Sequence, residues 1–505
     1  MQLSKKTISQ ITGAAGQNEA LFSLPEKVLQ FGTGVLLRGL PDHFINKANR
    51  MQLFNGRIVV VKSTNTGGTD AFKQQDGLFT LLERGVENGQ RVERSSINAA
   101  ISRVLSATDE WAEILTCAGS GAMQVIISNT TEVGITLLES DATAERPVSF
   151  PGRLLAFLEH RYQVFKGSID AGMVIVPTEL IVDNGTQLKT IVTKLAQLKG
   201  CDELFLQWLD TANDFCNSLV DRIVPGKLSP AELRMAQQEL GYEDELMIMS
   251  ETYSLWAIET NSERTRNILS FSQADKTVIL AADINKFREL KLRLLNGTHT
   301  FSCGLAFLAG FATVKDAMND PDIAGYVSAL MLQEIVPLVA QGPISLPEAN
   351  TFSVQVIDRF KNPYIEHQWL SISVQYSSKM LMRTVPLLEK HYTTSDEVPE
   401  LMALGFAAYL LFSRPVEKTG NTYYGEYNGQ RYPVQDDKAA LLYQAWHTEA
   451  GNGLAVSVLS QPAIFGSDLT RFNGFAEAVQ LYLASLIQQG VINTLHSGIL
   501  KKTVA

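Results

Sequence analysis

A chain of 505 residues is too long for one ordinary hydrophobic core, so at least two domains are expected. Hydrophobic residues at 45% and charged residues at 19% describe an ordinary globular protein rather than a disordered or fibrous one. The formal net charge of −10 argues against nucleic acid and anionic membrane as partners. It leaves a small anionic ligand open, because a local basic pocket can override the global sign.

The N-terminus, Met-Gln-Leu-Ser-Lys-Lys-Thr, lacks the apolar core of a signal peptide, and residues 1–24 read as a loosely held polar lead-in. Lys27 to Phe31 is predicted as a buried strand that ends in Gly32-Thr33-Gly34. A helix is predicted to follow, from about Val35 through Phe44 and Ala48. Strand, Gly-x-Gly, helix is the arrangement in which glycine lets the backbone approach a pyrophosphate at a helix N-terminus. The third glycine of the usual fingerprint is Leu37 here.

Arg57 to Lys62 is the second predicted strand. An acid near its end would favour NAD by holding the ribose hydroxyls, but Lys62-Ser63-Thr64-Asn65 offers none before Asp70. On residues alone, NAD and NADP stay open. Further buried strands are predicted around Ile97–Leu105, Met123–Ser128 and Met173–Val176. Asn129-Thr130-Thr131-Glu132 forms a polar loop at a strand's carboxyl end, where an open α/β sheet binds its ligand. Thr131 and Glu132 are read either as cofactor neighbours or as ordinary loop caps. Asp221 and Arg222 are expected to form a structural ion pair. Val278 to Ala282 is the last strand-like run before the pattern turns helical, which sets the expected boundary: residues 1–282 and 283–505.

Lys291-Leu-Arg-Leu-Leu-Asn296-Gly-Thr-His299 opens the second half. On an α-helix at ~100° per residue, Lys291, Asn296 and His299 fall within about 140° of one face. Burying an amine, an amide and an imidazole among leucines costs free energy unless each finds a partner. Alcohol oxidation supplies one for each: a lysine can exchange the hydroxyl proton, an amide can hold the reacting oxygen, and an imidazole can fix a neighbouring hydroxyl. Further on, Lys379 and Arg383 are four residues apart, on one helix face, and either hold an anion between them or form a solvated basic face. Leu401 to Phe412 is the longest apolar run, shorter than the ~20 residues of a membrane span, and reads as a buried helix. Residues 421–437 read as a polar, aromatic loop or hairpin. Cys117, Cys201, Cys216 and Cys303 show no metal or disulfide spacing, and the seven histidines form no ligand cluster with acids or cysteines, so no metal is expected and a reducing cytoplasm is the natural setting.

Lys-x-x-x-x-Asn-x-x-His resembles the signature of the mannitol dehydrogenase family of long-chain polyol and sugar-acid dehydrogenases. Phe31-Gly32-Thr33-Gly34-x-x-x-Arg38, Thr131-Glu132-x-Gly and Val-Asp-Arg-Ile-x-Pro at 220–225 resemble other segments of that family. Asn362 to Pro386, Thr-Glu-Leu-Ile at 178–181 and Tyr-Pro-Val-Gln-Asp-Asp at 432–437 look most like its tagaturonate-reducing, sugar-acid branch. The resemblance implies an α/β protein, with an N-terminal Rossmann-type dinucleotide-binding domain, a mainly α-helical C-terminal domain and the active site between them. It implies Lys291 as general acid/base, Asn296 on the reacting oxygen and His299 on the substrate. Phe31, Gly32, Thr33, Gly34 and Arg38 would bind NAD, with Thr131 and Glu132 beside it. Asn184, Lys379 and Arg383 are the substrate-binding candidates. One departure is implied as well: aligning on Asn184-Gly185 puts Leu180 where the mannitol branch carries a second oxygen-binding Asn. The expected reaction is interconversion of a keto-uronate and its sugar acid, tagaturonate and altronate before fructuronate, mannitol or arabinitol. A nucleotide-binding sensor without turnover is the reading from a different class.

Overall fold

The structure is a computed structural model that describes residues 1–11, 19–63, 68–130, 134–448 and 453–499. It divides into two compact units, Met1–Arg84 with Arg91–Ile284, and Gly85–Gln90 with Asn285–Ala505.

In the first unit a six-stranded parallel sheet is built from β1 (Glu26–Phe31), β2 (Arg57–Lys62), β3 (Ile101–Ser106), β4 (Val125–Ser128), β5 (Val174–Pro177) and β6 (Asp214–Phe215). Their order across the sheet is β3-β2-β1-β4-β5-β6. That is the doubly wound arrangement expected of a Rossmann domain. Both faces are covered, which is why β2 is buried along its whole length and reads as a continuous apolar run. Successive side chains part to opposite faces: Val28, Val60, Val125 and Val174 pack with Phe44 on one side. Leu29, Val59, Ile126 and Ile175 pack on the other with Leu154 and Leu158 of α3 (Phe150–Val164) and Leu188 of α4 (Asn184–Lys199).

The helix expected from Val35 to Ala48 is two helices, α1 (Val35–Gly39) and α2 (Pro41–Arg50). Leu40 between them is non-helical at φ −129°, ψ −81°. Pro41 explains the break, because it has no N–H to give and its ring clashes with a preceding helical turn. Residues 1–11 are also better anchored than their polarity suggests. Leu3 and Ile8 are buried against Leu78, Ile97 and Tyr242, and the Leu3 N–H donates to the Glu243 carbonyl at 2.9 Å. Arg222, for which Asp221 is the partner expected from sequence, makes an ion pair with Glu83, at 2.6 Å, and donates to the Gly39 carbonyl.

The second unit is mainly helical. Its core crossing is between α5 (Thr298–Leu308) and α7 (Glu400–Phe412), the latter buried from Leu401 to Phe412. Glycines let the two helices approach: a Cβ on Gly304 would lie 2.7 Å from the Ala408 carbonyl oxygen, and one on Gly405 2.7 Å from Phe301. Helix α6 (Leu346–Phe360) and the long α8 (Phe475–Thr494) complete the frame, with α6 opened by a Ser345–Glu348 capping box. Pro321–Val339 is long and apolar enough to cross a membrane, and 56% of its most apolar window is buried inside the fold. Glu417–Thr419, Thr422–Tyr427 and Gln430–Pro433 form the antiparallel hairpin sheet foreseen in the tyrosine-rich loop.

Candidate active site

The sheet order of the first unit reverses between β1 and β4, so the ligand crevice of this fold lies beyond their carboxyl ends. Phe31 pairs with Ser128 at that edge. Gly32 follows at φ +128°, and a Cβ there would lie 2.8 Å from Leu37 and 3.0 Å from the Asn129 carbonyl oxygen. Only glycine fits so near the neighbouring strand. Gly34 differs: it caps α1, is exposed, and has nothing within 4 Å of where a Cβ would stand. Thr33 is half-buried between them. The turn thus leaves free the space beside its backbone that a pyrophosphate occupies in this fold, and its residues fit a dinucleotide.

The other cofactor-side candidates divide differently. Phe31 turns into the core, its ring centroid 5.0 Å from that of Phe150. The buried Arg38 guanidinium donates to the Leu246 carbonyl and lies 5.3 Å from the Phe79 ring and 5.7 Å from Phe72. Burial lowers its pKa to about 10, against the pull of Asp42 and Asp244. These contacts are all within the fold. Thr131 and Glu132 lie outside the described residues. Just before them, the Thr130 N–H and hydroxyl donate to Glu179 Oε1 at 2.9 and 3.0 Å, and the Ser128 hydroxyl reaches Oε2 at 3.1 Å. Glu179 is therefore the anchor of that loop, its pKa raised by burial despite these donors.

Asn184 corrects an expectation. It is fully buried, and its Nδ2 donates to the carbonyls of Pro177, Glu179 and Ser218 at 3.0, 3.0 and 3.2 Å. Its Oδ1 accepts the N–H groups of Gly185 and Ser218, both at 2.9 Å. An amide so committed to main chain is a pin between β5 and the following segments, with no hydrogen bond left for substrate. Leu180, at the place of the missing second Asn, is 63% exposed.

In the second unit the signature lies on a π-helical turn, Leu290–Gly297, that leads into α5. In an i→i+5 helix the fifth residue returns close to the same face. Lys291 and Asn296 are therefore nearer in direction than the α-helical spacing suggested. Both are half-buried. His299, on the first turn of α5, is 7% exposed, and its Nε2 is buried without a hydrogen-bond partner. Its ring is edge-on to His367, centroids 5.1 Å apart, and to Trp369, 6.0 Å apart. Burial above all, then His367, Arg359, Arg383 and Lys379, hold its pKa well below that of an ordinary histidine. Those charge neighbours are all basic. Lys379 and Arg383 are thus brought near His299, and both have pKa values lowered first by burial. Each also has an internal contact: Lys379 Nζ with the Ile372 carbonyl at 2.7 Å, and Arg383 Nη1 with the Thr300 hydroxyl at 3.3 Å.

Arg359 and His367 were not singled out as site residues by the sequence reading. They lie on the short block that also contains Asn362-Pro363, sixty and more positions from His299 in the chain, so no local spacing links them to it. Their basic character within that block was the available signal.

Comparison with known proteins accords with this architecture. Altronate oxidoreductase of Bacillus subtilis is 35% identical over 472 residues, 92% of this chain and 94% of that protein. The enzyme of the same name from Escherichia coli is 35% identical over 478 residues, covering 92% and 95%. Among solved structures, substrate-free D-sorbitol dehydrogenase superposes with a TM-score of 0.79 at 20% identity, covering 98% of this chain and 100% of that one. Mannitol 2-dehydrogenase of Pseudomonas fluorescens, solved with NAD and D-mannitol, gives 0.69 at 23% identity, covering 99% and 100%. Residues 26–270 match the mannitol dehydrogenase Rossmann domain and residues 283–487 the mannitol dehydrogenase C-terminal domain. The chain belongs to the mannitol dehydrogenase family.

Proposed function

We propose that this protein is an NAD-dependent oxidoreductase that interconverts a keto-uronate and its sugar acid, tagaturonate and altronate being the pair its relatives' name suggests. The observation that carries the acid-sugar reading is the setting of His299: a buried, unpartnered ring nitrogen whose charge neighbours are all basic. A carboxylate placed among those basic groups gains charge-assisted hydrogen bonds that a neutral polyol cannot offer. NADH bound at the glycine turn supplies the hydride.

In the reducing direction the ketone carbon gains the hydride while its oxygen takes a proton from the Lys291 ammonium. The lysine is then reprotonated from solvent. Asn296 donates an amide N–H to the same oxygen and so stabilises the negative charge that develops there. His299, held neutral, offers Nε2 to a hydroxyl beside the carbonyl and fixes which carbon faces the hydride. Arg383 and Lys379 hold the carboxylate, the arginine through two parallel N–H groups and the lysine as a point charge. Oxidation runs through the same groups reversed, with no metal required.

The test is a substrate panel: tagaturonate, fructuronate and a neutral ketose, each with NADH and with NADPH, followed at the reduced-cofactor absorbance. The highest kcat/KM is expected for tagaturonate with NADH. Equal turnover of the neutral ketose would remove the acid-sugar reading, and NADH binding without any turnover would leave a sensor.

A further inference from the structure

Thr300, the residue after His299, is completely buried. Its hydroxyl donates to the Asn296 carbonyl oxygen at 2.7 Å and accepts from Arg383 Nη1 at 3.3 Å. A hydroxyl has one proton to give, so with that proton committed to Asn296 a lone pair faces the guanidinium. The Thr300 main chain is held too: its carbonyl accepts from the Tyr376 hydroxyl at 2.7 Å, and that hydroxyl accepts the Gly304 N–H at 3.0 Å. Arg383 is fixed from behind, because Arg293 Nη1 donates to the carbonyl oxygens of Met382 and Arg383 at 2.8 and 3.2 Å.

The chemistry of this linkage depends on where it occurs. Asn296 is near the end of the π-helical turn, where i→i+5 bonding gives way to the α register of α5. A threonine bonding back four residues to a main-chain carbonyl bends the helix locally and fixes the direction of the residue it holds. Arg383 belongs to a second π-helical turn, Met380–Thr384. One hydroxyl therefore joins the two irregular turns, one bearing the amide for the reacting oxygen and the other the arginine for the carboxylate.

Resting on the proposed function, we propose that Thr300 is a positioning residue that couples carboxylate binding at Arg383 to the placement of Asn296. Seating the carboxylate on the guanidinium holds Arg383 against Thr300, and the hydroxyl holds Asn296 where its amide meets the oxygen. An acid substrate thereby orders the site that reduces it, and a neutral one does not. Misplacing a catalytic group by ~1 Å can cost ~10²-fold in rate, so a single hydroxyl suffices for a visible effect.

The test compares the full-length wild type with Thr300→Val, Thr300→Ser, Arg383→Ala and the Val/Ala double variant, measuring kcat and KM for tagaturonate and the NADH dissociation constant. Thr300→Val is expected to lower kcat for tagaturonate at least ~10-fold with NADH affinity unchanged, and Thr300→Ser to restore it to within ~3-fold. In the double variant the loss should match that of Arg383→Ala alone, because the two residues act along one path. Wild-type kinetics in Thr300→Val, failure of serine to rescue, or losses that multiply in the double variant would each overturn the coupling. Should Thr300→Val not fold, Arg383→Lys keeps the charge but not the fork that reaches Thr300; its kcat should fall more than its KM rises, and an unchanged kcat overturns the proposal. A wild type that turns over no keto-uronate fails the functional reading itself, and with it this inference, before any variant is compared.

Discussion

His299 lies face to face with Phe360, ring centroids 4.0 Å apart and planes 6° from parallel. Together with the edge contacts to His367 and Trp369, the stack fixes the plane of the imidazole, in which its unpartnered Nε2 lies. Phe360→Leu keeps an apolar side chain there but removes the flat face. It should lower kcat ~10-fold while the protein stays folded, as a steady-state assay beside a thermal melt would show. Because His299 is held neutral, the acid limb of the pH–rate profile should persist in His299→Gln; its disappearance would make that histidine the titrating group.

Lys291→Ala should retain NADH binding and lose ~10²–10⁴-fold in turnover, the usual contribution of a positioned acid/base. Fluorescence titration with NADH separates the two effects. Near-wild-type turnover would remove the lysine from the mechanism.

The two glycines of the β1 turn should respond differently to substitution. Gly34→Val has open space around the new side chain, so the fold should survive while NADH affinity falls. Gly32→Ala meets both a positive φ and the Asn129 carbonyl, so stability itself should drop, by ~1–3 kcal/mol. Denaturant midpoints and NADH titrations on both variants check this; equal NADH affinity in a folded Gly34→Val protein would end the nucleotide assignment there.

Arg383→Ala and Lys379→Ala should damage keto-uronate turnover more than that of a neutral ketose. Loss of one charge-assisted hydrogen bond is worth roughly 1.5–3 kcal/mol, about one to two powers of ten in kcat/KM. Equal damage to both substrate types would make the two cations structural.

Asp42, under the glycine turn, gives a pH prediction. Burial first raises its pKa to about 8, against the Gln30 hydrogen bond and Arg38, and its Oδ1 and the Gln30 Oε1 are both buried acceptors without a donor. A proton on Asp42 supplies one. The folded pKa exceeds the unfolded one, so the stability it contributes is complete below about pH 4 and is lost as pH rises through about 8. Asp42→Asn, which mimics the protonated acid, should match the wild type near pH 4 and exceed it by a margin that grows up to about pH 8 in urea melts. A constant difference between the two proteins across that range would remove Asp42 as the titrating group.

Much of the first unit was legible in the sequence because its signals are local. Strands such as Arg57–Lys62 are short apolar runs bounded by turn residues, and the glycine turn follows directly on one of them. The break at Pro41 was legible too, from proline's missing donor, yet an apolar pattern running on through Ala48 concealed it. The Lys291, Asn296 and His299 run could be picked out by its chemistry alone, since three unlike polar groups among leucines stand out in any register. What tertiary structure decided is how such groups are used. Asn184 and Arg38 look like ligand-binding side chains in sequence, but their hydrogen bonds go to carbonyls that the fold brings near, from residues as distant as Ser218 and Leu246. The π-helical turn replaces the α spacing on which the sequence argument rested, because bonding register is set by packing as well as by residue type. Arg359, His367, Lys379 and Arg383 converge on His299 from far along the chain, and charge added through space leaves no periodic trace in a sequence.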